Sequence, residues 1–266
     1  MPTGNMAAMG TEGLNPTQRF TDRVDNYVLY RPSYPDSLIV HLADTCRIGR
    51  NTRIADIGSG TGIFTRLLLA TGATVFAVEP NAAMRGAAEC ALRSQPGFRS
   101  VSGTAESTGL GERSVSLVTC AQAFHWFDPL ATSLEFRRIL SPTGSCALIW
   151  NTMNPAGSAF AVGYEAIKTR FGTDFGRVRH EYLRTSTVFE DFFGNRDWRR
   201  SVFENSQVLD FAGLKGRLLS SSYAPKEEDP RHGPMLDALR ELFDRCEQQG
   251  QVRMEYETEL YLGHIS

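Results

Sequence analysis

Short apolar runs alternate with amphipathic helical segments over the first 150 residues of the chain. Runs that are typical of buried strands occur at residues 53–57, 73–79, 98–102, 114–120 and 144–151. Helical patterns lie between these runs, including one at 82–92 for which Asn81 is a plausible N-cap. Strands that alternate with helices predict a doubly wound, mostly parallel α/β sheet.

The segments on either side of this repeat predict three further parts of the chain. Two helical patterns precede the first strand and are separated by the prolines at 32 and 35, so we expect lid helices there. Residues 152–207 break the strand–helix rhythm and are rich in aromatic residues and arginines, which predicts an inserted substrate cap. We therefore divide the chain into a mobile tail (1–18), a cofactor-binding core with lid helices (19–151), the cap (152–207) and a C-terminal completion of the sheet (208–266).

Composition narrows the class of protein. The 266 residues are 41% hydrophobic and 22% charged, with a net charge of −2, which fits one α/β domain with an elaborated cap and argues against a basic nucleic-acid binder. The five cysteines are scattered, and no metal-ligand motif or membrane-length apolar run occurs. We expect a cytoplasmic monomer or homodimer that holds no metal and binds neither nucleic acid nor a membrane.

A glycine-rich turn follows the first strand directly. Gly58, Gly60 and Gly62 can form a tight strand-to-helix turn whose backbone approaches a ligand closely. The second strand ends in Glu79, and the 23 residues from Asp56 to Glu79 are close to the roughly 20 expected between a nucleotide loop and its ribose-binding acid. This spacing predicts a nucleotide or nucleoside pocket.

Four separated motifs occur in the order known from one family. They are Asp56-Ile-Gly-Ser-Gly-Thr-Gly62, Glu79-Pro-Asn81, Gly103-Thr-Ala-Glu106 and Ala121-Gln-Ala-Phe-His-Trp-Phe-Asp128. In this order the chain resembles the class I S-adenosylmethionine-dependent methyltransferases, and within them the small-molecule subgroup that includes trans-aconitate methyltransferase-like enzymes. The resemblance runs from about residue 20 to the C-terminus and implies a seven-stranded Rossmann-like sheet whose last strand is antiparallel. It is specific for the cofactor and much less so for the substrate.

The resemblance implies transfer of a methyl group from S-adenosyl-L-methionine to a small organic acceptor, through an oxygen, a nitrogen or a carboxylate. Glu79 is expected to bind the ribose hydroxyls, Ala105 and Glu106 the adenine, and Tyr27 or Arg31 the methionyl carboxylate. The full set expected to bind the cofactor is Tyr27, Arg31, Asp56, Gly58, Ser59, Gly60, Thr61, Glu79, Pro80, Asn81, Met84, Thr104, Ala105, Glu106, Ala121 and Gln122.

Residues near the predicted strand ends are candidates for contact with the acceptor. His125 and Trp126 follow the fourth strand and are the catalytic candidates, because imidazole can take or orient a proton near neutral pH. Tyr30, Trp150 and Asn151 are the substrate candidates. Packing in the core is the competing interpretation for Trp126, and a structural hydrogen bond is the competing one for His125.

Three other functions remain open at this stage. The acceptor can be RNA or protein, although the acidic balance and the aromatic cap weigh against RNA. A nicotinamide dehydrogenase also pairs glycines with an acid, but the spacing from Gly58 to Gly62 lacks the GxGxxG form. A protein that binds S-adenosylmethionine without catalysis fits the same sequence.

Overall fold

The computed structural model describes residues 21–154, 156–175, 187–194 and 197–265. The expected tail at 1–18 and the expected start of the first helix at residue 20 lie outside these ranges. So do residues 176–186 and 195–196 of the expected cap.

Seven strands in the described part of the chain form a single sheet in the order β3-β2-β1-β4-β5-β7-β6. They are β1 (Arg53–Ile57), β2 (Thr74–Val78), β3 (Phe98–Val101), β4 (Val115–Ala121), β5 (Leu140–Met153), β6 (Trp198–Leu209) and β7 (Val252–Gly263). The first five are parallel to one another, and β7 is antiparallel to both of its neighbours. The predicted seven-stranded, mostly parallel sheet is confirmed.

Helices lie before the sheet, between its strands and after it. They are α1 (Val24–Tyr30), α2 (Asp36–Thr45), α3 (Ile63–Ala70), α4 (Ala82–Leu92), α5 (Pro129–Ile139), α6 (Ala159–Phe171), α7 (Val188–Phe193), α8 (Phe211–Leu219) and α9 (His232–Cys246). Asn81 caps α4 as predicted, because its side-chain oxygen accepts a hydrogen bond from the Met84 amide. No helix in the described ranges is long and apolar enough to cross a bilayer.

The side chains of β5 show how the sheet is buried on both faces. Trp150 lies in a cluster with Phe136 of α5, whereas its neighbour Ile149 lies in the opposite cluster with Leu38 of α2 and Leu68 of α3. Successive strand residues point to opposite faces, so continuous apolar runs such as this one belong to central strands covered by helices on both sides. A third cluster joins α6, α8 and α9 to the beginning of β7.

The sixth strand begins earlier than the sequence suggested. Residues 198–207 were expected to belong to the cap, but β6 runs from Trp198 and pairs with β7 along its whole length. The sequence of this strand is largely polar and charged, because β6 lies at the edge of the sheet and alternate side chains face solvent. The apolar pattern that marked the inner strands is therefore absent.

The aromatic residues before β6 were also expected in the cap, and the structure corrects this. Phe189, Phe192 and Phe193 of α7 are at most 4% exposed and pack with Trp150 and Trp198 in the main core. Large aromatic side chains contribute most when their area is buried, and here they cover one face of the sheet. Two described helices fall within the expected cap. Residues of α7 belong to this core cluster, whereas α6 packs with α8 and α9 in the third cluster.

Candidate functional site

The turn between β1 and α3 depends on glycine. Gly58 and Gly62 have φ of 65° and 81°, in the left-handed region that glycine tolerates best. A Cβ on Gly58 would lie 2.6 Å from the Ala123 Cβ, and one on Gly62 would lie 2.7 Å from the Leu92 Cδ1. The loop therefore lies against the end of β4 on one side and against α4 on the other, with its backbone open to a ligand.

Glu79 links this turn to the next helix. Its Oε2 accepts a hydrogen bond from the Gly60 amide at 2.9 Å, and its Oε1 accepts one from the Asn81 amide at 2.9 Å. Burial raises the pKa of the carboxyl, and the two backbone donors oppose that shift. Each carboxylate oxygen has a second lone pair that can accept a hydrogen bond from a ligand hydroxyl.

Asp56 lies beneath the turn. It is 1% exposed and accepts hydrogen bonds from the hydroxyls of Thr65 at 2.6 Å and Thr119 at 2.8 Å. Burial raises its pKa to about 6, against the lowering effect of these two hydroxyls. No sequence pattern linked these two threonines to Asp56, because one lies in α3 and the other in β4. Their shared partner becomes visible only when β1 and β4 pair.

A cavity of about 150 Å³ opens over the carboxyl ends of the strands, and we call it the nucleoside cavity. Its lining contains thirteen of the residues predicted for the site: Tyr27, Gly58, Gly60, Glu79, Pro80, Asn81, Met84, Thr104, Ala105, Glu106, Ala121, Gln122 and Trp126. Glu106 is also tied to the loop after β4, since its Oε1 accepts a hydrogen bond from the Asp128 amide at 3.1 Å.

A smaller cavity of about 40 Å³ adjoins it, and we call it the arginine cavity. Four residues line both cavities, namely Tyr27, Gly58, Ala121 and Gln122. The predicted residues Arg31, Asp56, Ser59, Thr61 and Asn151 line only the smaller one, together with Arg217, which sequence reasoning did not identify.

Gln122 occupies a strained position where the two cavities meet. Its φ is 58°, which is uncommon for a residue other than glycine, and its side chain donates a hydrogen bond to the Asn151 carbonyl at 2.9 Å. Outliers of this kind persist only where their surroundings hold them, and they cluster at ligand sites.

Two substrate candidates lie away from the cavities. Trp150 is 1% exposed and packs among aromatic rings on the core face of β5, so the expectation that it contacts an acceptor is corrected to a packing role. The ring of Tyr30 packs directly against Gly216 of α8, and this residue lines neither cavity. The alternation of side chains along β5 explains why Asn151 reaches the arginine cavity when Trp150 does not.

His125 lies next to the nucleoside cavity but does not line it. The Trp150 Nε1 donates a hydrogen bond to the His125 Nδ1 at 3.4 Å, and the His125 ring packs against Trp126 at 4.9 Å between centroids. An Nδ1 that accepts this bond leaves the proton of the neutral ring on Nε2. In this arrangement the Nε2 of His125 is a hydrogen-bond donor.

The comparisons with known proteins agree with this geometry. Residues 55–148 match the methyltransferase domain family. An uncharacterised methyltransferase of Mycobacterium tuberculosis is 38% identical over 133 residues, which are 50% of this chain and 52% of that protein. The chain therefore aligns with about half the length of this relative. An uncharacterised methyltransferase-like protein of Schizosaccharomyces pombe is 26% identical over 90% of this chain and 92% of its own.

Solved structures show the same fold. A protein of Anaeromyxobacter dehalogenans, provisionally named a type II methyltransferase, superposes with a TM-score of 0.66 at 19% identity, over 89% of this chain and 98% of that one. A protein of Anabaena variabilis, provisionally named a methyltransferase of antibiotic biosynthesis, gives 0.57 at 16% identity, over 86% and 98%. The Rossmann-like methyltransferase fold is confirmed. The predicted S-adenosylmethionine-dependent methyltransferase class is confirmed for the domain at 55–148.

Proposed function

We propose that this chain transfers a methyl group from S-adenosyl-L-methionine to a small organic acceptor. The observation that carries the proposal is the position of Glu79, whose carboxylate joins the glycine turn to the start of α4 at the edge of the nucleoside cavity. An acid in this position is suited to bind the two hydroxyls of a ribose, while the glycine backbone allows close approach of the rest of the nucleoside.

The residues of both cavities fit the parts of this cofactor. In the proposal, Ala105 and Glu106 meet the adenine and Glu79 the ribose. The methionyl carboxylate lies in the arginine cavity near Tyr27 and Arg31, where the Arg31 Nε is inaccessible to solvent and has no hydrogen-bond partner in the described part of the chain. An orphan donor of this kind is costly until an anion accepts from it.

Methyl transfer places few chemical demands on the protein. When S-adenosylmethionine is bound, its methyl carbon accepts a lone pair from the acceptor while the carbon–sulfur bond breaks and leaves its electrons on sulfur. The chain must align the acceptor and exclude water. Tyr27 and Trp126 line the cavities with large rings and are suited to this exclusion.

The form of the cavities supports a small acceptor, in the manner of the trans-aconitate methyltransferase-like subgroup. The two cavities share Tyr27, Gly58, Ala121 and Gln122, and a concave site walled by side chains suits a small molecule better than a polymer. The net charge of −2 gives no general attraction for RNA.

Calorimetry tests the proposal at the level of the cofactor. We expect the full chain to bind S-adenosylmethionine and S-adenosylhomocysteine and to give no heat with NAD. Binding of NAD alone would identify a dehydrogenase instead. A screen of candidate acceptors for a mass increase of one methyl group then separates an enzyme from a protein that only binds the cofactor.

His125 is proposed to orient the acceptor through its Nε2–H. Replacing it by alanine removes one hydrogen bond, worth about 1 kcal/mol, so we expect the methyl-transfer step to slow about fivefold with unchanged affinity for S-adenosylhomocysteine. Single-turnover rates on an acceptor from the screen measure this effect. His125→Gln keeps a donor and should recover part of the rate.

His232→Ala is the matched control, because that histidine lies in α9 and is hydrogen-bonded to the Pro225 carbonyl outside both cavities. A His125→Ala rate within threefold of the wild type would remove His125 from the mechanism. A loss above about a hundredfold would instead favour a general base, for which contributions of about 10²–10⁴ are typical.

A further inference from the structure

The two edges of the sheet differ in length. The strand at one edge, β3, has four residues, whereas β6 at the other edge has twelve. β6 contains no proline and pairs with β7 without a break in register. Proteins usually shorten, bend or interrupt an edge strand, because its outward N–H and C=O groups lack partners and attract other strands. The long, regular edge of β6 is therefore suited to pair with a further strand.

The two faces of β6 are covered to different extents. On one face, the ring of Phe203 lies 5.5 Å from the ring of His41 of α2, measured between centroids. Successive side chains of a strand point to opposite faces, so the residues on either side of Phe203 belong to the other face. The exposed residues at the middle of that second face are Arg200, Val202 and Glu204. A partner strand can therefore meet both charges and an apolar side chain there.

The charges on this face make β6 complementary to itself. Arg200 lies two residues before Val202, and Glu204 lies two residues after it. When two copies of β6 pair antiparallel with Val202 opposite Val202, the Arg200 of each copy lies opposite the Glu204 of the other. Opposite charges in this position stabilise a pair of strands. A pairing centred on Ser201 or Phe203 instead places neither charge opposite the other.

Glu204 also lacks a positive partner within its own chain. It lies directly opposite Glu257 of β7, and neither acid forms an ion pair with a described residue. Like charges in this position are destabilising. Arg200 binds the Glu259 Oε1 at 2.6 Å, but its side chain is 46% exposed and a guanidinium has five N–H donors. The Arg200 of a second copy can therefore supply the positive charge that these two acids lack.

We propose that β6 pairs with β6 of a second copy of this chain, antiparallel and centred on Val202, so that one sheet runs through a two-fold symmetric dimer. A contact of this kind uses the same surface on both copies, so it closes at two copies and leaves neither β6 edge exposed. Arg200, Val202 and Glu204 line neither the nucleoside cavity nor the arginine cavity. The inference therefore goes beyond the proposed function and does not depend on it.

Sedimentation velocity of the full chain, without added ligand, tests the dimer. We expect the wild type to dimerise as its concentration rises through the micromolar range. Glu204→Arg replaces two attractive contacts in the dimer by two repulsive ones and should raise the dimer dissociation constant at least about tenfold. Within the monomer the new arginine faces Glu257, so the melting temperature should not fall. Glu241→Arg makes the same charge change at an exposed position of α9 and should leave the dimer intact.

A mixture of two variants tests the register. Arg200→Glu alone should also weaken the dimer, because it places two acids opposite each other. When it is mixed with Glu204→Arg, each mixed pair of strands has opposite charges at both positions, and the dimer should return. If Arg200→Glu does not fold beside the buried Glu259, Arg200→Gln keeps one favourable pair and should still prefer the mixed dimer.

Cysteine cross-linking locates the centre of the interface. Val202→Cys places two thiols opposite each other across the two-fold axis, so mild oxidation should link the copies. Val208→Cys is the matched control, because that valine of β6 is also exposed. In the proposed register its two copies are about 40 Å apart, so no link should form. The wild type, which has five free cysteines, gives the background.

Each of three results would overturn the inference. A wild type that stays monomeric up to several hundred micromolar would mean that β6 does not pair with itself. A dimer that Glu204→Arg leaves unchanged would have its interface elsewhere. Cross-linking through Val208→Cys but not Val202→Cys would refute the register. Failure of the wild type to bind S-adenosylhomocysteine would refute the proposed function and leave this interface untouched.

Discussion

A Trp150→Ala variant is expected to lose about 3–5 kcal/mol of unfolding free energy, the range measured when large aromatic side chains are removed from cores. Trp150 is 1% exposed and lies in contact with the rings of Phe124, Phe189 and Tyr261, with centroids 6.3, 6.0 and 5.9 Å away. Alanine would leave a cavity between the sheet and α7. Urea unfolding at neutral pH measures the loss.

Trp126→Ala is the matched control for this experiment. That tryptophan is partly exposed and lines the nucleoside cavity, so its removal should cost less stability and should weaken binding of S-adenosylhomocysteine. Trp150→Ala should show the reverse pattern at temperatures where it is still folded. If Trp150→Ala kept its stability within about 1 kcal/mol and lost ligand affinity, the packing role assigned to Trp150 would be wrong.

The features that the sequence predicted well are local ones. The β1 strand, the glycine turn and the α4 helix with its Asn81 cap each follow from neighbouring residues, since strand pattern, turn chemistry and capping act over a few positions. The ribose-binding role proposed for Glu79 rests on its spacing to the turn, and its carboxylate accepts a hydrogen bond from the Gly60 amide. Short-range rules were sufficient there.

The features that the sequence did not predict depend on long-range packing. The edge strand β6 has no apolar run, and its pairing with β7 becomes evident only in the folded sheet. The aromatic residues of α7 match the composition expected of a cap, but they are buried in the main core. Their packing depends on the apolar area that they bury and not on their position along the chain. Arg217 joins Arg31 only because α8 packs against α1, where Tyr30 contacts Gly216.

Glu79 holds the glycine turn through two backbone hydrogen bonds and is proposed to bind the ribose, and a single substitution would change both properties. Glu79→Ala is expected to weaken binding of S-adenosylhomocysteine by about 1–3 kcal/mol, or about 5–150-fold, because charge-assisted hydrogen bonds to the ribose are lost. The same variant leaves the buried Gly60 and Asn81 amides without their acceptor and should therefore also lower the stability of the ligand-free protein, although it should still fold.

A cycle with a modified ligand separates the two roles. The affinities of wild type and Glu79→Ala are measured for S-adenosylhomocysteine and for its 2′-deoxyribose analogue. If Glu79 holds the ribose, loss of the hydroxyl weakens binding to the wild type by more than about 1 kcal/mol and has little effect on the variant. Equal losses in both proteins would mean that the carboxylate only shapes the glycine turn. Glu112→Ala, which removes an exposed acid outside both cavities, should leave all four affinities as in the wild type.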